Sequence, residues 1–325
     1  AFMLEVRSGL SGSRLSFYRG DISGTLAREG EVLGVGGGPI AVNDFLPGGE
    51  PDVLVGNNSG ASLIVDGGTG ILPIVRAAEL YSSPSKIVCR DMNRDGLADV
   101  VVASGAIASI ALGTASGEFQ VDSILVAPSG ALSVQDFDGD GWGDVSLGSV
   151  TSRVITVLFG DINGNVDETV ILPRSTSPLD LASGDLNGDG LADLVIAQSD
   201  IQVISAMPGR SFVPGAIVPT VGARAVELGD FDGDGLLDLA AGIFNTENRL
   251  EVYKGDGGGN FTLLEDLFAP TVIGDVKFGD VDGNGLMDIV TAGASGVTVF
   301  LRTVSGGLKE GLWILGKEAR NTAIA

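Results

Sequence analysis

The apolar residues of this chain are cut into runs of about four to six, divided by Gly-rich and polar stretches. Runs of that length, rich in Val, Ile, Leu and Ala, predict buried β-strands rather than helices. DVVVAS, DVSLGS, DLVIAQ, DLAAGI and DIVTAG are the clearest. Each is preceded, across a short acidic loop, by another strand-like run: KIVCR, LSVQ, LDLASG, AVELG and DVKFG. A short polar loop follows each pair. Then come a third run ending near Gly, a Gly-rich turn and a fourth run, as in RVITVLFG, DINGN and VDETVILP.

The acidic loops begin at 91, 136, 185, 230 and 280, a repeat of about 47 residues. Four strands per repeat of this length predict a propeller blade. One period upstream the chain reads DFLPGGEPD from Asp44 to Asp52, followed by VLVG, which is a sixth copy. Residues 1–38 hold FMLEVRSG, RLSFYRG and TLAREGEVLG, three strands without a first one. The stretch ARNTAIA at the other end reads as a first strand with nothing after it. The expectation is an all-β, seven-bladed β-propeller of four-stranded blades, one domain over 1–325. Its blades fall near 39–85, 86–130, 131–178, 179–223, 224–273 and 274–318, with a split blade from 319–325 plus 1–38. Sharing one blade between the two ends leaves no exposed sheet edge in the ring.

The five loops are DMNRDGLAD, DFDGDGWGD, DLNGDGLAD, DFDGDGLLD and DVDGNGLMD. Asp or Asn stands at positions 1, 3 and 5, Gly at 6 and Asp at 9. Hard cations such as Ca²⁺ take six to eight oxygen ligands from carboxylates, amides and backbone carbonyls. Alternate residues of a tight loop converge on one point, and Gly at 6 permits a positive φ. An EF-hand would need a bidentate Glu at position 12. Val102, Leu147, Ile196, Ala241 and Thr291 stand there instead. The expected ligands are the side chains of positions 1, 3, 5 and 9 with the carbonyl of position 7. These are Asp91, Asn93, Asp95, Leu97 and Asp99; Asp136, Asp138, Asp140, Trp142 and Asp144; and Asp185, Asn187, Asp189, Leu191 and Asp193. The remaining two sets are Asp230, Asp232, Asp234, Leu236 and Asp238, and Asp280, Asp282, Asn284, Leu286 and Asp288. About five Ca²⁺ are expected. The 44–52 loop should hold none, because Leu46 and Gly48 replace its ligands.

On these motifs the chain resembles the FG-GAP/VCBS family of calcium-binding propeller repeats. That family occurs in integrin α-subunit heads, some fungal lectins and many secreted bacterial proteins. The resemblance spans essentially the whole chain. It is specific in five repeats, degenerate at 44–52 and without a loop in the split blade. It implies a seven-bladed propeller with calcium in the loops between first and second strands. It leaves the ligand open, because fold does not imply function.

Composition narrows the function further. The net charge is −23, and 17 of the 42 acidic residues sit in the five loops. No basic stripe is present to neutralise phosphates, so nucleic acid is not an expected partner. Mean hydropathy is +0.34, yet no stretch reaches the ~18 apolar residues of a membrane span. The lone Cys89 reads as a small buried apolar residue. The chain has no His, which excludes Ser-His-Asp and Cys-His nucleophile systems and His-ligated zinc. Metal-site spacing accounts for the clustered carboxylates, so no enzymatic activity is expected. Trp142 is either an aromatic platform for a sugar or a packing residue beside its loop. Asn57-Asn58-Ser59 and Asn260-Phe261-Thr262 are glycosylation sequons.

The expected role is a secreted or cell-surface binding or adhesion module for a glycan or an extracellular protein, with any leader removed ahead of Ala1. Millimolar Ca²⁺ outside cells fills even weak loop sites. The alternatives are a self-assembling subunit of a surface layer, sheath or filament, and the propeller of a polysaccharide-active enzyme. Variable loops on a rigid scaffold are where recognition tends to sit. That places the partner on the connections opposite the acidic loops, with Tyr81, Arg153, Arg174, Arg224 and Arg249 as candidates, beside Lys86, Asn245 and Asn248.

Overall fold

The structure is a computed structural model. It describes residues 2–7, 14–20, 26–35, 37–45, 52–65, 74–78, 84–105, 107–126, 130–163, 165–293, 296–315 and 319–324. Among these there is no helix.

The chain opens with β1 (Phe2–Arg7), β2 (Arg14–Gly20) and β3 (Leu26–Leu33). Six sheets follow, each of four consecutive strands. The first holds β4 (Ile40–Asn43), β5 (Asp52–Asn57), β6 (Gly60–Val65) and β7 (Ile74–Ala78). The next holds β8 (Lys86–Arg90), β9 (Asp99–Ser104), β10 (Ile107–Gly113) and β11 (Phe119–Val126). Then come β12 (Ala131–Gln135), β13 (Asp144–Ser149), β14 (Val154–Gly160) and β15 (Val166–Pro173). The fourth has β16 (Asp180–Gly184), β17 (Asp193–Ala197), β18 (Ile201–Met207) and β19 (Ser211–Val218). The fifth has β20 (Ala223–Gly229), β21 (Asp238–Phe244), β22 (Asn248–Gly255) and β23 (Phe261–Phe268). The sixth has β24 (Ile273–Gly279), β25 (Asp288–Gly293), β26 (Gly296–Arg302) and β27 (Leu308–Leu315). Every pairing within these sheets is antiparallel, so each is a meander.

The last strand, β28 (Ala319–Ile324), pairs antiparallel with β1, and a further four-stranded sheet runs β28-β1-β2-β3. The first strands β4, β8, β12, β16, β20 and β24 each neighbour the next, and β28 lies against both β24 and β4. This is an all-β propeller. The acidic loops all join first to second strands, so they share one side of the disc.

The core sits between sheets, as the uniformly apolar second strands require: β9, β13, β17, β21 and β25 are buried almost throughout. One cluster joins Phe137, Phe159 and Leu181 of adjacent sheets with Leu194 and Ile196. Another joins Phe231, Leu250 and Val252 to Ile273, Val276 and Phe300. A side chain packed on both faces of a sheet must be apolar, so these strands do not alternate. The fourth strands alternate, as in Val166–Pro173, because one of their faces meets water. Cys89 is half-buried and packs against an apolar cluster shared by its own sheet and the β4–β7 sheet; burial, then the charge of Asp99, push its thiol pKa up.

Candidate functional site

The five acidic loops fold alike because their side chains cap their own backbone. The position-1 carboxylate accepts the N–H of the position-6 Gly at 2.8–3.0 Å in every copy. The position-3 oxygen accepts the N–H of position 5. The position-5 oxygen accepts the N–H of position 7. These turns draw the three side chains inward, and each oxygen keeps a further lone pair. Gly at position 6 has φ of 82–89°, which the sequence anticipates. Position 4 also lies at positive φ, with Gly in four copies and Arg94 at 55° in the fifth. The repeated Gly at 139, 188, 233 and 283 was the available signal for it.

Carboxylate oxygens converge in three loops. Asp136, Asp138 and Asp144 form one group, Asp230, Asp232 and Asp234 a second, and Asp280, Asp282 and Asp288 a third, each within 4.8 Å. In 91–99 and 185–193 an Asn stands at position 3. Clustered hard oxygen donors without His or Cys can hold a metal ion, and the set suits calcium.

The Asp at position 9 has a part the spacing does not reveal. Asp99, Asp144, Asp193, Asp238 and Asp288 are each 0% exposed. Oδ2 accepts the N–H of position 2, from Met92, Phe137, Leu186, Phe231 and Val281, at 2.7–3.2 Å. Oδ1 accepts an N–H at the end of the third strand, from Gly113, Gly160, Ala206, Gly255 and Arg302, at 2.8–2.9 Å. This carboxylate pins the loop to its sheet. Burial pushes all five carboxyls above the usual range, and the backbone N–H groups only partly offset it. Asp144 is pushed up to about 7. The degenerate copy keeps the same pin: Asp52 is buried and accepts the N–H of Phe45 at 3.1 Å. Leu46 and Gly48 lie outside the described residues.

Neighbouring loops interlock. Gly143 N–H donates to Met92 O, and Ala192 N–H to Asp136 O, both at 3.0 Å. Trp142 is half-buried with the Arg94 guanidinium 5.1 Å from its ring centre, a packing position between two loops. Both sequon asparagines use their side-chain N–H₂ locally, Asn57 on Ser62 and Asn260 on Asp256.

On the opposite side the expected Arg cluster divides. Arg153 and Arg174 lie beside one another, linked by Arg174 N–H to Arg153 O at 2.8 Å. Arg153 is exposed; Arg174 is half-buried on Gln202 with its Nε unpartnered. Arg224 and Arg249 belong to the β20–β23 sheet. Arg224 is stacked 4.6 Å over Phe244, while Arg249 is bound to Asp266 and lies 3.4 Å from Glu247. The intervening β16–β19 sheet separates the two pairs, so they form no single patch. Tyr81 lies outside the described residues. Lys86 of β8 is bound to Asp180 of the β16–β19 sheet. The exposed Phe244 under Arg224, Val221 near it in the chain, and Phe268 opposite Arg249 were missed. They are single apolar residues in polar loops, with no periodicity to mark them.

The axis carries charges that the strand pattern hid. Lys277 bonds Glu227 at 2.7 Å and lies 3.7 Å from Asp275, and Asp180 accepts Val226 N–H at 3.1 Å. Charged residues inside AVELG and DVKFG were the available sign. A cavity of about 410 Å³ opens beside the loops, lined by Arg90, Gln135, Asp136, Ser183 and Asp185 among others. Arg90 bonds Gln135 there.

Residues 136–196 and 230–291 match the FG-GAP-like repeat family. None of the curated proteins matches the sequence. Among solved structures, the chain is similar to an Agrocybe aegerita lectin described as recognising non-reducing terminal N-acetylglucosamine. The TM-score is 0.65 at 16% identity, over 97% of this chain and 90% of that one. It is also similar to the periplasmic gluconolactonase of Pseudomonas aeruginosa, with a TM-score of 0.71 at 14% identity over 99% of both chains. A protein from Lactobacillus plantarum gives 0.71 at 15% identity, over 99% of this chain and 98% of that one. The second likeness corrects one expectation. The same scaffold houses a named enzyme, so the absence of enzymatic activity does not stand as a conclusion. At these identities the likeness shows the fold alone, and neither activity transfers with it. The chain is an all-β propeller, and residues 136–196 and 230–291 of it match FG-GAP-like repeats.

Proposed function

We propose that this protein is a calcium-stabilised propeller, active outside the cell or at its surface, that binds a glycan or a protein partner. In this reading 1–325 is one domain, and the β28-β1-β2-β3 sheet is its seventh blade. The observation that carries it is the two-sidedness of the disc. One side gathers repeated oxygen-rich loops. The other exposes Phe244 under Arg224 and next to Asn245, and Phe268 opposite Arg249 and next to Asn248 in the sheet. Aromatic faces with guanidinium and amide donors are the usual chemistry of recognition. The lectin among the similar structures supports a glycan as the partner.

Each loop binds one Ca²⁺ through positions 1, 3, 5 and 9 and the carbonyl of position 7, five ions in all. Without the ion, three or four carboxylates repel one another at short range. Calcium at 100-fold excess over Kd stabilises by about 2.7 kcal/mol per site. Excess chelator is therefore expected to lower the melting temperature by roughly 10–20 °C. An unchanged midpoint, or metal analysis finding no bound calcium, sinks the calcium reading.

The partner side is tested on a glycan array. A double change of Phe244→Ala and Arg224→Ser is expected to weaken capture of the best ligand by roughly thirtyfold or more, the cost of a recognition hot spot. Calcium binding and melting should stay as in the parent. Undiminished binding by the double variant places the partner elsewhere.

A further inference from the structure

Two of the five loops hold a cation belonging to the chain itself. In 230–238 it is Lys254, near the end of β22 in the same sheet. Its ammonium bonds Asp232 and lies 2.7 Å from Asp234 Oδ2. In 136–144 it is Arg210, reaching across from the β18–β19 turn of the next sheet. Its Nε is 2.7 Å from Asp138 Oδ2, and one terminal nitrogen is 3.7 Å from Asp140 Oδ2. The other terminal nitrogen holds Asp167 at 2.8 Å and Glu168 at 3.1 Å, and the guanidinium lies over the Phe159 ring. Among the described residues no Lys or Arg is ion-paired with the loops 91–99, 185–193 or 280–288.

These are also the two loops with four Asp; the other three loops carry three each. In both, the cation sits on positions 3 and 5, whose side chains supply oxygens in the calcium reading. We infer that Lys254 and Arg210 are resident counter-ions of the two most acidic loops. They restrain the divalent-cation affinity of those loops and hold them in shape when the metal is absent. A fixed positive charge within ion-pair distance of two ligands opposes an incoming divalent ion. The same charge relieves the repulsion among four carboxylates in the empty loop. The inference rests on the calcium reading of the loops.

Titration calorimetry of the full chain with Ca²⁺ tests it. Lys254→Gln is expected to tighten one of the five sites by about three- to tenfold, the reach of partly exposed ion pairs. It should also lower the melting temperature in chelator, and Lys254→Arg should restore both. Arg210→Gln is followed at its own loop by Tb³⁺ luminescence sensitised through Trp142, with a Trp142→Phe companion to assign the signal. It should tighten Tb³⁺ binding by a similar factor. Arg210 also bridges two sheets, so Lys254→Gln carries the decision if Arg210→Gln fails to fold. Parent protein that binds no calcium overturns the loop reading and this inference with it. Parent protein that binds calcium while both variants give unchanged or weaker binding overturns this inference alone.

Discussion

Removing residues 319–325 is expected to abolish the single cooperative unfolding transition. This segment contains β28, which pairs with β1 through Met3↔Ile324, Leu4↔Ala323 and Glu5↔Thr322. It also lies against β24 and β4, the first strands of the sheets on either side. Without it β1 becomes a bare edge, a template for pairing with other chains. The apolar clusters flanking that sheet would open as well. One joins Leu15 to Ile40, Val53 and Ile64; the other joins Tyr18 to Val281, Val290 and Val299. The loss should exceed roughly 5 kcal/mol, a large share of a domain's net stability. Calorimetry and light scattering measure it. A shortened chain that melts like the parent and stays monomeric means the ring does not close through β28.

The second large effect belongs to position 9. Asp238→Ala should destabilise the protein in calcium and in chelator alike. Asp238 is fully buried, and its oxygens accept N–H groups from Phe231 at 3.0 Å, Asp232 at 3.2 Å and Gly255 at 2.9 Å. Alanine leaves these donors buried and unpartnered, at about 1–3 kcal/mol each, so the loss is on the order of 4 kcal/mol. Asp234→Asn provides the contrast. Its carboxylate faces Lys254 and solvent. That change should weaken one calcium site towards the strength of 280–288, where Asn284 holds position 5, and leave the chelated melting point close to that of the parent. Measuring both variants in chelator separates the structural part of the position-9 carboxylate from the part it shares with Asp234 as a metal ligand. If Asp238→Ala melts within a degree of the parent there, the pin is not what holds the loop.

The sequence of this protein determined what depends on near neighbours along the chain. Strand runs, Gly-rich turns and the 1-3-5-6-9 loop pattern are local, because strand pairing in a meander and side-chain capping of a turn span few residues. Repetition then made the blade legible, and the complementary ends pointed to a shared sheet. The degenerate copy at 44–52 shows the limit of that reading: losing positions 3 and 5 marked a lost metal site, but nothing local explained why Asp52 remained. Only its burial against Phe45 N–H did. What the tertiary structure alone decided depends on which sheet lies beside which. Lys86 meets Asp180 across 94 residues, and Arg210 meets Asp138 across 72. Both contacts join different repeats, and no periodicity within a repeat encodes them. The same holds for the partner side. The four described candidates, Arg153, Arg174, Arg224 and Arg249, fall into two pairs with the β16–β19 sheet between them, because spacing between sheets, not order in the chain, sets the distance between their side chains.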